Sequence, residues 1–310
     1  MTRYAYLGPE GTFTQQALLS WVGAAEHEQV PLGSVDAALE ALRSGDVDAA
    51  VVPIENSVEG GVSATLDALA SGDPLVVVGE VLVPITFVAC GRPGASLTSA
   101  RAIGTHSHAW AQVRGWAGRT APQAIYVPTL STASAAKDLA EHPDDVGYEV
   151  AVCAPIAAEH FGLEVLAHDI GDMTNAVTRF VIVSGPDWLP APTGRDKTTV
   201  VLYQRSDRAG GLLELLEQFA VRGINMTRLE SRPTKESMGS YCFSIDLEGH
   251  VQDERVGAAL MSLHRVCADV RFLGSYPAAA DTPISIDPIT SDAAFVAARQ
   301  WLDRLRRLGG

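Results

Sequence analysis

The sequence is short of positive charge: 23 lysines and arginines stand against 37 aspartates and glutamates, a formal net charge of −14 over 310 residues. Without a basic stripe to neutralise phosphates, neither nucleic acid nor an anionic membrane surface is expected as a partner. The same acidity leaves any dianionic ligand to local donors such as Arg or helix N-termini, not to the global field. Long apolar runs are also missing. Nowhere do 18 uncharged apolar residues follow one another, and Met1-Thr2-Arg3-Tyr4-Ala5-Tyr6-Leu7-Gly8 holds no stretch of signal-peptide length, so a cytoplasmic protein is expected. Cysteine is scarce: Cys90, Cys153, Cys242 and Cys267 lie far apart with no CxxC spacing and read as small buried hydrophobes. There is no internal repeat and no low-complexity tract.

What is present is an ordinary globular composition, 47% hydrophobic and 19% charged with 17 prolines spread along it. The length is about twice the roughly 150 residues of one domain, so two domains are expected. The first half alternates strands at 4–7 and 49–53 with helices at 12–21 and 34–43, the rhythm of βαβ units around a largely parallel sheet. A strand over 75–83 runs through Pro84 into a second series, with strands at 102–104 and 124–127 and helices at 109–116 and 131–139. Two α/β lobes are expected. Strands follow at 150–155 and 179–184, and the Pro- and Gly-rich stretch from Gly185 to Gly194 marks a linker. From Lys197 the order is strand 198–204, helix 211–222, strands 225–232 and 240–247, helix 253–267 and strand 270–276. That is the ferredoxin-like βαββαβ arrangement. The last stretch, 291–308, puts Phe295, Trp301, Leu302, Leu305 and Leu308 on one side of a helix, with Arg304, Arg306 and Arg307 near its C-terminal end. That face packs on its own subunit or against another.

Four segments carry chemistry. Tyr6-Leu7-Gly8-Pro9-Glu10-Gly11-Thr12-Phe13-Thr14 brings backbone N–H groups and hydroxyls to a helix N-terminus, where anions are stabilised, although a tight βα turn has the same composition. In Val52-Pro53-Ile54-Glu55-Asn56-Ser57-Val58-Glu59-Gly60-Gly61, polar residues follow directly on a buried strand, where the ligand-facing side chains of an open α/β sheet gather; a helix N-cap by Asn56 or Ser57 is the alternative. In Gly104-Thr105-His106-Ser107-His108-Ala109-Trp110-Ala111-Gln112, Thr105 and Gln112 fall two helical turns apart on one side. His106 and His108 lack further ligands at suitable spacing, so no metal is expected and capping or solvated histidines are the better reading. Asn175-Ala176-Val177-Thr178-Arg179-Phe180 sets a hydroxyl and a guanidinium at the mouth of a strong strand. Arg suits bidentate carboxylate binding, and a preorganised Thr hydroxyl can pass a proton to a leaving oxygen; an ordinary strand-edge Thr is the plainer account.

The set YLGPEGTF, VPIENSVEGG, the TH…Q helix, STASAAK, GLEVLAHDI and N-x-x-TRF, in this order, resembles the catalytic domain of the prephenate dehydratase family from Tyr4 to about Ser184. Ala209-Gly210-Gly211-Leu212, Gly223-Ile224-Asn225-Met226-Thr227 and Glu230-Ser231-Arg232-Pro233 resemble the ACT domain that follows it in that family. The resemblance implies an α/β fold whose two-lobed catalytic domain is similar to type II periplasmic-binding proteins, with a ferredoxin-like ACT domain behind it. The implied division is catalytic at 1–185, with the second lobe at about 84–168, a linker at 186–196, the ACT domain at 197–277 and a tail with an amphipathic helix at 278–310. It implies a carbon–oxygen lyase that needs no cofactor and no metal, converting prephenate to phenylpyruvate, water and CO2 on the route to phenylalanine.

By the same resemblance Thr178 assists the leaving hydroxyl, Arg179 binds a carboxylate, and Glu55 and Asn56 complete the catalytic set. Thr105, Gln112, Asn175, Phe180 and Ser57 are the implied substrate-binding residues. L-phenylalanine is the implied allosteric effector, at Gly210, Gly211, Leu212, Asn225, Glu230, Ser231, Arg232 and Pro233 of a homodimer or homotetramer. Three departures stand out. The family commonly reads Ser-His-Pro at Thr105-His106-Ser107, Asn-Asn at Asn175-Ala176, and Gly-Ala-Leu at Gly210-Gly211-Leu212. Thr keeps the hydroxyl, Ala176 removes one amide, and Gly211 adds backbone freedom without removing its N–H. An arogenate dehydratase, a solute-binding protein and a non-catalytic amino-acid sensor are the competing readings.

Overall fold

The computed structural model describes residues 1–23, 26–58, 60–234, 241–281 and 283–309. Glu59, in the expected cleft segment, and Ser240, expected to open a strand, lie outside the described residues. The chain divides into two compact units, Met1–Thr65 with Val81–Phe180, and Leu66–Glu80 with Val181–Gly310. No helix among the described residues is long and apolar enough to cross a membrane.

The chain opens with β1 (Thr2–Leu7), α1 (Phe13–Val22), β2 (His27–Leu32), α2 (Val35–Arg43), β3 (Ala49–Asn56), the two-residue β4 (Gly60–Gly61) and α3 (Ser63–Ala70), which from Leu66 belongs to the second unit, then β5 (Val76–Pro84), which belongs to it as far as Glu80. Hydroxyl caps start the helices: Thr12 accepts from the Gln15 N–H and Ser34 from the Ala37 N–H. β1 pairs in parallel with β2 and β3, and the sheet order is β2-β1-β3-β11-β5, where β11 is Val177–Ser184. The central strands are buried on both faces, as Val51, Val52 and Ile54 show.

The second lobe holds β6 (Val88–Gly91), β7 (Ala102–Thr105), α4 (Ser107–Thr120), β8 (Ile125–Pro128), α5 (Thr132–Glu141), β9 (Val150–Cys153), α6 (Pro155–His160) and β10 (Glu164–Ala167), with sheet order β10-β6-β9-β7-β8. Its core is built from small side chains, Ala133, Ala135, Ala136, Ala151, Ala157 and Ala158, around Tyr148, whose hydroxyl donates to the Ala135 carbonyl at 2.9 Å.

The second unit has β12 (Asp196–Tyr203), α7 (Gly211–Ala220), β13 (Met226–Pro233), β14 (Tyr241–Glu248), α8 (Glu254–Val266), β15 (Asp269–Pro277) and α9 (Asp292–Arg306). Its antiparallel sheet runs β13-β14-β12-β15, the ferredoxin-like order expected. One face carries Val200, Leu202, Ile245 and Leu247 against α7 and α8. The other holds a buried polar chain in the spatial order of the strands. Arg228 of β13 pairs with Asp246 of β14 at 2.9 Å, Thr199 of β12 donates to the same carboxylate at 2.8 Å, and Tyr276 of β15 meets Thr199 at 2.7 Å. Residues 66–80, expected in the catalytic domain, cluster here instead. They are tied down by Lys197 on Glu80 at 2.9 Å, by Arg232 on Asp67 at 3.0 Å and by Arg271 on the carbonyls of Ser71 and Gly72.

Candidate active site

In the first unit a cavity of about 390 Å3 takes its lining from both lobes. Leu7, Gly8 and Thr12 come from the loop between β1 and α1, Phe13 and Thr14 from the start of α1, and Pro53 and Asn56 from β3. Across from them lie Phe87, His106, His108 and Gln112, then Ser131 and Thr132 at the entry to α5, with Thr178 and Phe180 of β11. Phe13 and Phe87 meet edge to face at 5.7 Å. The glycines permit the loop: a Cβ on Gly8 would sit 2.9 Å from that of Pro31, and Gly11, at φ +82°, would press its own against Ala157 of α6.

Helices α1, α4 and α5 present their N-terminal ends to this cavity. Thr12 caps α1, His106 Nδ1 accepts the His108 N–H at 3.3 Å to cap α4, and Ser131 accepts the Ser134 N–H at 2.9 Å to cap α5. Unpaired first-turn N–H groups and aligned peptide dipoles make a wall of this kind favourable to anions without any net positive charge on the molecule. The two histidines therefore act as the sequence suggested, with His106 a cap; their rings meet edge to face at 4.9 Å.

At the centre is one short arrangement. Asn56 Oδ1 accepts the Val58 N–H at 2.8 Å, which fixes the amide so that Nδ2 donates to Thr178 Oγ1 at 2.9 Å. Because the Thr178 oxygen accepts from Asn56, its own O–H remains a donor. Thr178 is 7% exposed, so this donor works in a largely dehydrated setting where its electrostatic effect is enlarged.

Strand alternation separates the remaining candidates. Thr178 and Phe180 line the cavity, whereas Arg179 lies between them in sequence and its guanidinium is placed 3.4 Å from Glu55, the neighbour of Asn56 on β3. The implied carboxylate-gripping role for Arg179 and a direct cleft role for Glu55 do not match these positions; the pair bridges β3 and β11 beside the cavity. Ser57, implied as a substrate contact, clasps the same two strands, its N–H donating to the Val177 carbonyl and its Oγ accepting the Val177 N–H, both at 2.9 Å. Thr105 is fully buried and spends its hydroxyl on the Val152 carbonyl at 2.7 Å, so it too falls outside the lining. Asn175 is exposed and absent from the lining. Gln112 lines the cavity as expected. Ser131 and Thr132, missed as site residues, carry the same signal as Thr12: a hydroxyl placed between a strand and an Ala-rich helix.

The second unit has a separate cavity of about 450 Å3, lined by Gln204, Arg208, Gly210, Gly211, Leu212, Ser231, Tyr241 and Phe243 among others. Gly210, at φ +79°, begins α7. Of the implied effector residues, Gly210, Gly211, Leu212 and Ser231 line it. Asn225, Glu230, Arg232 and Pro233 do not, and Arg232, on the opposite face of β13 from Ser231, pairs with Asp67. At Gly211 a Cβ would lie 2.8 Å from Nε2, the far end of the flexible Gln204 side chain.

Comparison with known proteins agrees with this architecture. The profile of a family described as prephenate dehydratase matches residues 4–187. A prephenate dehydratase of Amycolatopsis methanolica is 44% identical over 308 residues, covering 99% of each chain. The crystal structure of a prephenate dehydratase from Arthrobacter aurescens in complex with L-Phe shares 53% identity at a TM-score of 0.93, covering 98% of this chain and 99% of that one. A protein described as a novel type of quorum quenching acylase, GqqA, shares 31% identity at a TM-score of 0.79, covering 89% of this chain and 98% of that one.

Proposed function

The chain belongs to the prephenate dehydratase family, and from that premise we propose that it performs the decarboxylative dehydration of prephenate in the first-unit cavity, with Thr178 as the group that assists the leaving hydroxyl. In this carbon–oxygen lyase reaction the electron pair of the bond between ring and carboxylate becomes the third double bond of the aromatic ring. The ring hydroxyl departs with its electrons and takes a proton, leaving as water, while the carboxylate leaves as CO2. Aromatisation drives the step, so the protein needs only to hold a dianion and to protonate one oxygen.

The observation that carries this reading is the locked amide of Asn56, which occupies the Thr178 oxygen and leaves the O–H free to donate. The N-terminal ends of α1, α4 and α5 supply the anion-binding wall, with Thr12, Thr14, Ser131, Thr132 and Gln112 as polar contacts for the two carboxylates. Phe13, Phe87 and Phe180 shape an apolar slot for the ring. Arg179, Glu55 and Ser57 are positioning residues that hold β11 against β3. A positioned donor in a dehydrated site contributes roughly 100-fold or more to such a step.

The second-unit cavity, with Gly210, Gly211, Leu212 and Ser231, is the proposed L-phenylalanine site, supported by the bound L-Phe of the Arthrobacter relative. The proposed setting is a cytoplasmic homodimer or homotetramer in phenylalanine biosynthesis, with the catalytic domain ending near residue 185 and the ACT domain spanning 197–277.

The test is phenylpyruvate formation from prephenate by wild type and Thr178→Ala, with and without L-phenylalanine. Turnover in wild type, loss in the variant and inhibition by phenylalanine support both assignments. Phenylalanine binding without turnover of prephenate or arogenate removes the catalytic reading and leaves a sensor.

A further inference from the structure

Among the described residues helix α9 is anchored to the rest of its chain along its first half. Ser291 caps it by accepting the Ala294 N–H at 3.3 Å, Asp292 accepts the Glu254 N–H at 2.9 Å, and Arg299 pairs with Glu254. From Val296 to Leu308 every residue except Asp303 is exposed. Within the helix Ala294, Ala298, Trp301 and Leu305 follow one another at intervals of four, three and four, which is the seam spacing of a coiled coil, and Leu308 lies in the 3-10 turn Arg307–Gly309 that follows. Trp301 is 56% exposed, Leu305 42% and Leu308 81%. A 15-residue helix is marginal in water without a partner for its apolar stripe.

The charges say what that partner is. The N-terminal end of α9 is acidic, with Asp292 close to Asp253 and to Glu254, the last of these paired with Arg299. The C-terminal end is basic on balance, with Arg304, Arg306 and Arg307 against Asp303, which pairs with Arg306 at 3.5 Å. We propose that α9 pairs antiparallel with α9 of a second copy of this chain, about a two-fold axis near Trp301. A parallel pair sets the two arginine clusters side by side; the antiparallel pair sets each against the acidic end of the other copy and opposes the helix dipoles. A second copy supplies the matching stripe and both complementary ends at once, and a two-fold axis makes such a contact closed. One helix seam is smaller than the roughly 1,200–2,000 Å2 of a self-sufficient interface, so it strengthens an assembly held elsewhere as well.

Two experiments on the full-length protein test this. Sedimentation velocity over a concentration series compares wild type with Trp301→Glu/Leu305→Glu, whose positions are exposed, so the fold of the rest of the chain is kept and circular dichroism loses at most the signal of this one helix. The expected result is a shift of the association curve to about tenfold higher concentration or more, the scale of losing an interfacial anchor. An unchanged curve, or a wild type that is monomeric throughout, overturns the proposal. Orientation is read by oxidative cross-linking, which the native cysteines do not disturb because all four are buried. Mixed Ala298→Cys and Leu305→Cys chains give a disulfide-linked dimer and neither variant alone does so; cross-linking of Leu305→Cys alone means a parallel pair and overturns the antiparallel arrangement.

Discussion

At Thr178 the chemistry turns on which side of a hydroxyl is occupied. Asn56 holds the oxygen, so Thr178→Ala removes the proton donor and Asn56→Ala removes only its orientation. Steady-state kinetics are expected to show kcat reduced about 100-fold or more for Thr178→Ala, with KM little changed, and a smaller loss for Asn56→Ala; Thr178→Ser retains most activity. Equal losses in the two alanine variants would mean that Asn56 does more than orient. Ser57→Ala should act differently, lowering the thermal midpoint through loss of the Val177 hydrogen bond, worth about 1 kcal/mol, while leaving KM close to wild type. These residues were legible as polar side chains that end buried strands. Their division of labour was legible only through the two-residue period of a strand, which puts Asn56 and Thr178 in the cavity and turns Glu55 and Arg179 to each other.

Among the elements, those with strong caps and long apolar periods stand within two or three residues of expectation, as at α1, α2 and α5. Several short ones were not foreseen, β4 and α3 among them. β2 contains Pro31 and charged residues yet pairs along its whole length with β1 as a half-exposed outer strand, while α6 and β10 are too short to establish a period. α6 matters for the site because the Gly11 turn packs against it. Gly11→Ala needs a left-handed backbone at φ +82° and puts its Cβ 2.9 Å from that of Ala157, so urea denaturation should register a loss of at least about 1–2 kcal/mol, and a neutral outcome would remove the close approach from the account. In the second unit the polar chain from Arg228 to Tyr276 crosses all four strands of the sheet. Arg228→Ala leaves the Asp246 carboxylate buried and is expected to cost about 3–5 kcal/mol by chemical denaturation, much more than Arg228→Met combined with Asp246→Leu.

For the whole molecule, the buried phenols and thiols set an alkaline limit. Burial, and then the nearby Glu10, raises Tyr6; burial raises Tyr148 and Cys242, the hydrogen bond that the Cys153 thiol makes to Cys90, with burial behind it, raises Cys153, and burial pushes Cys267 up to about 11. Each is held protonated when folded and releases its proton more easily when unfolded. Their stabilisation is therefore complete below the ordinary thiol value of 9.0; the Cys267 share is lost as pH rises toward 11, and the share of the two phenols begins to be lost only above their ordinary 10.0. Thermal midpoints measured across that window should fall steadily, and a flat profile would show that the groups ionise equally in both states. At this scale the two α/β lobes and the ferredoxin-like unit were readable from strand order and linker composition. The grouping of residues 66–80 with the C-terminal unit was not, because it depends on Lys197, Arg232 and Arg271, whose partners are distant in sequence.

The place of β11 in its sheet bears on how the protein is made. It lies between β3 and β5 although the whole second lobe is translated before it. A nascent chain that has emerged as far as β5 thus has two strands with no common neighbour. At roughly 5–20 residues per second, the ribosome needs several more seconds to deliver the strand that joins them. Because that strand also brings Thr178, the cavity cannot close around a ligand before the lobe's last seam is sealed. Any ribosome that stalls inside the second lobe holds an open sheet with unpaired edges, the form most exposed to capture by chaperones or by other chains.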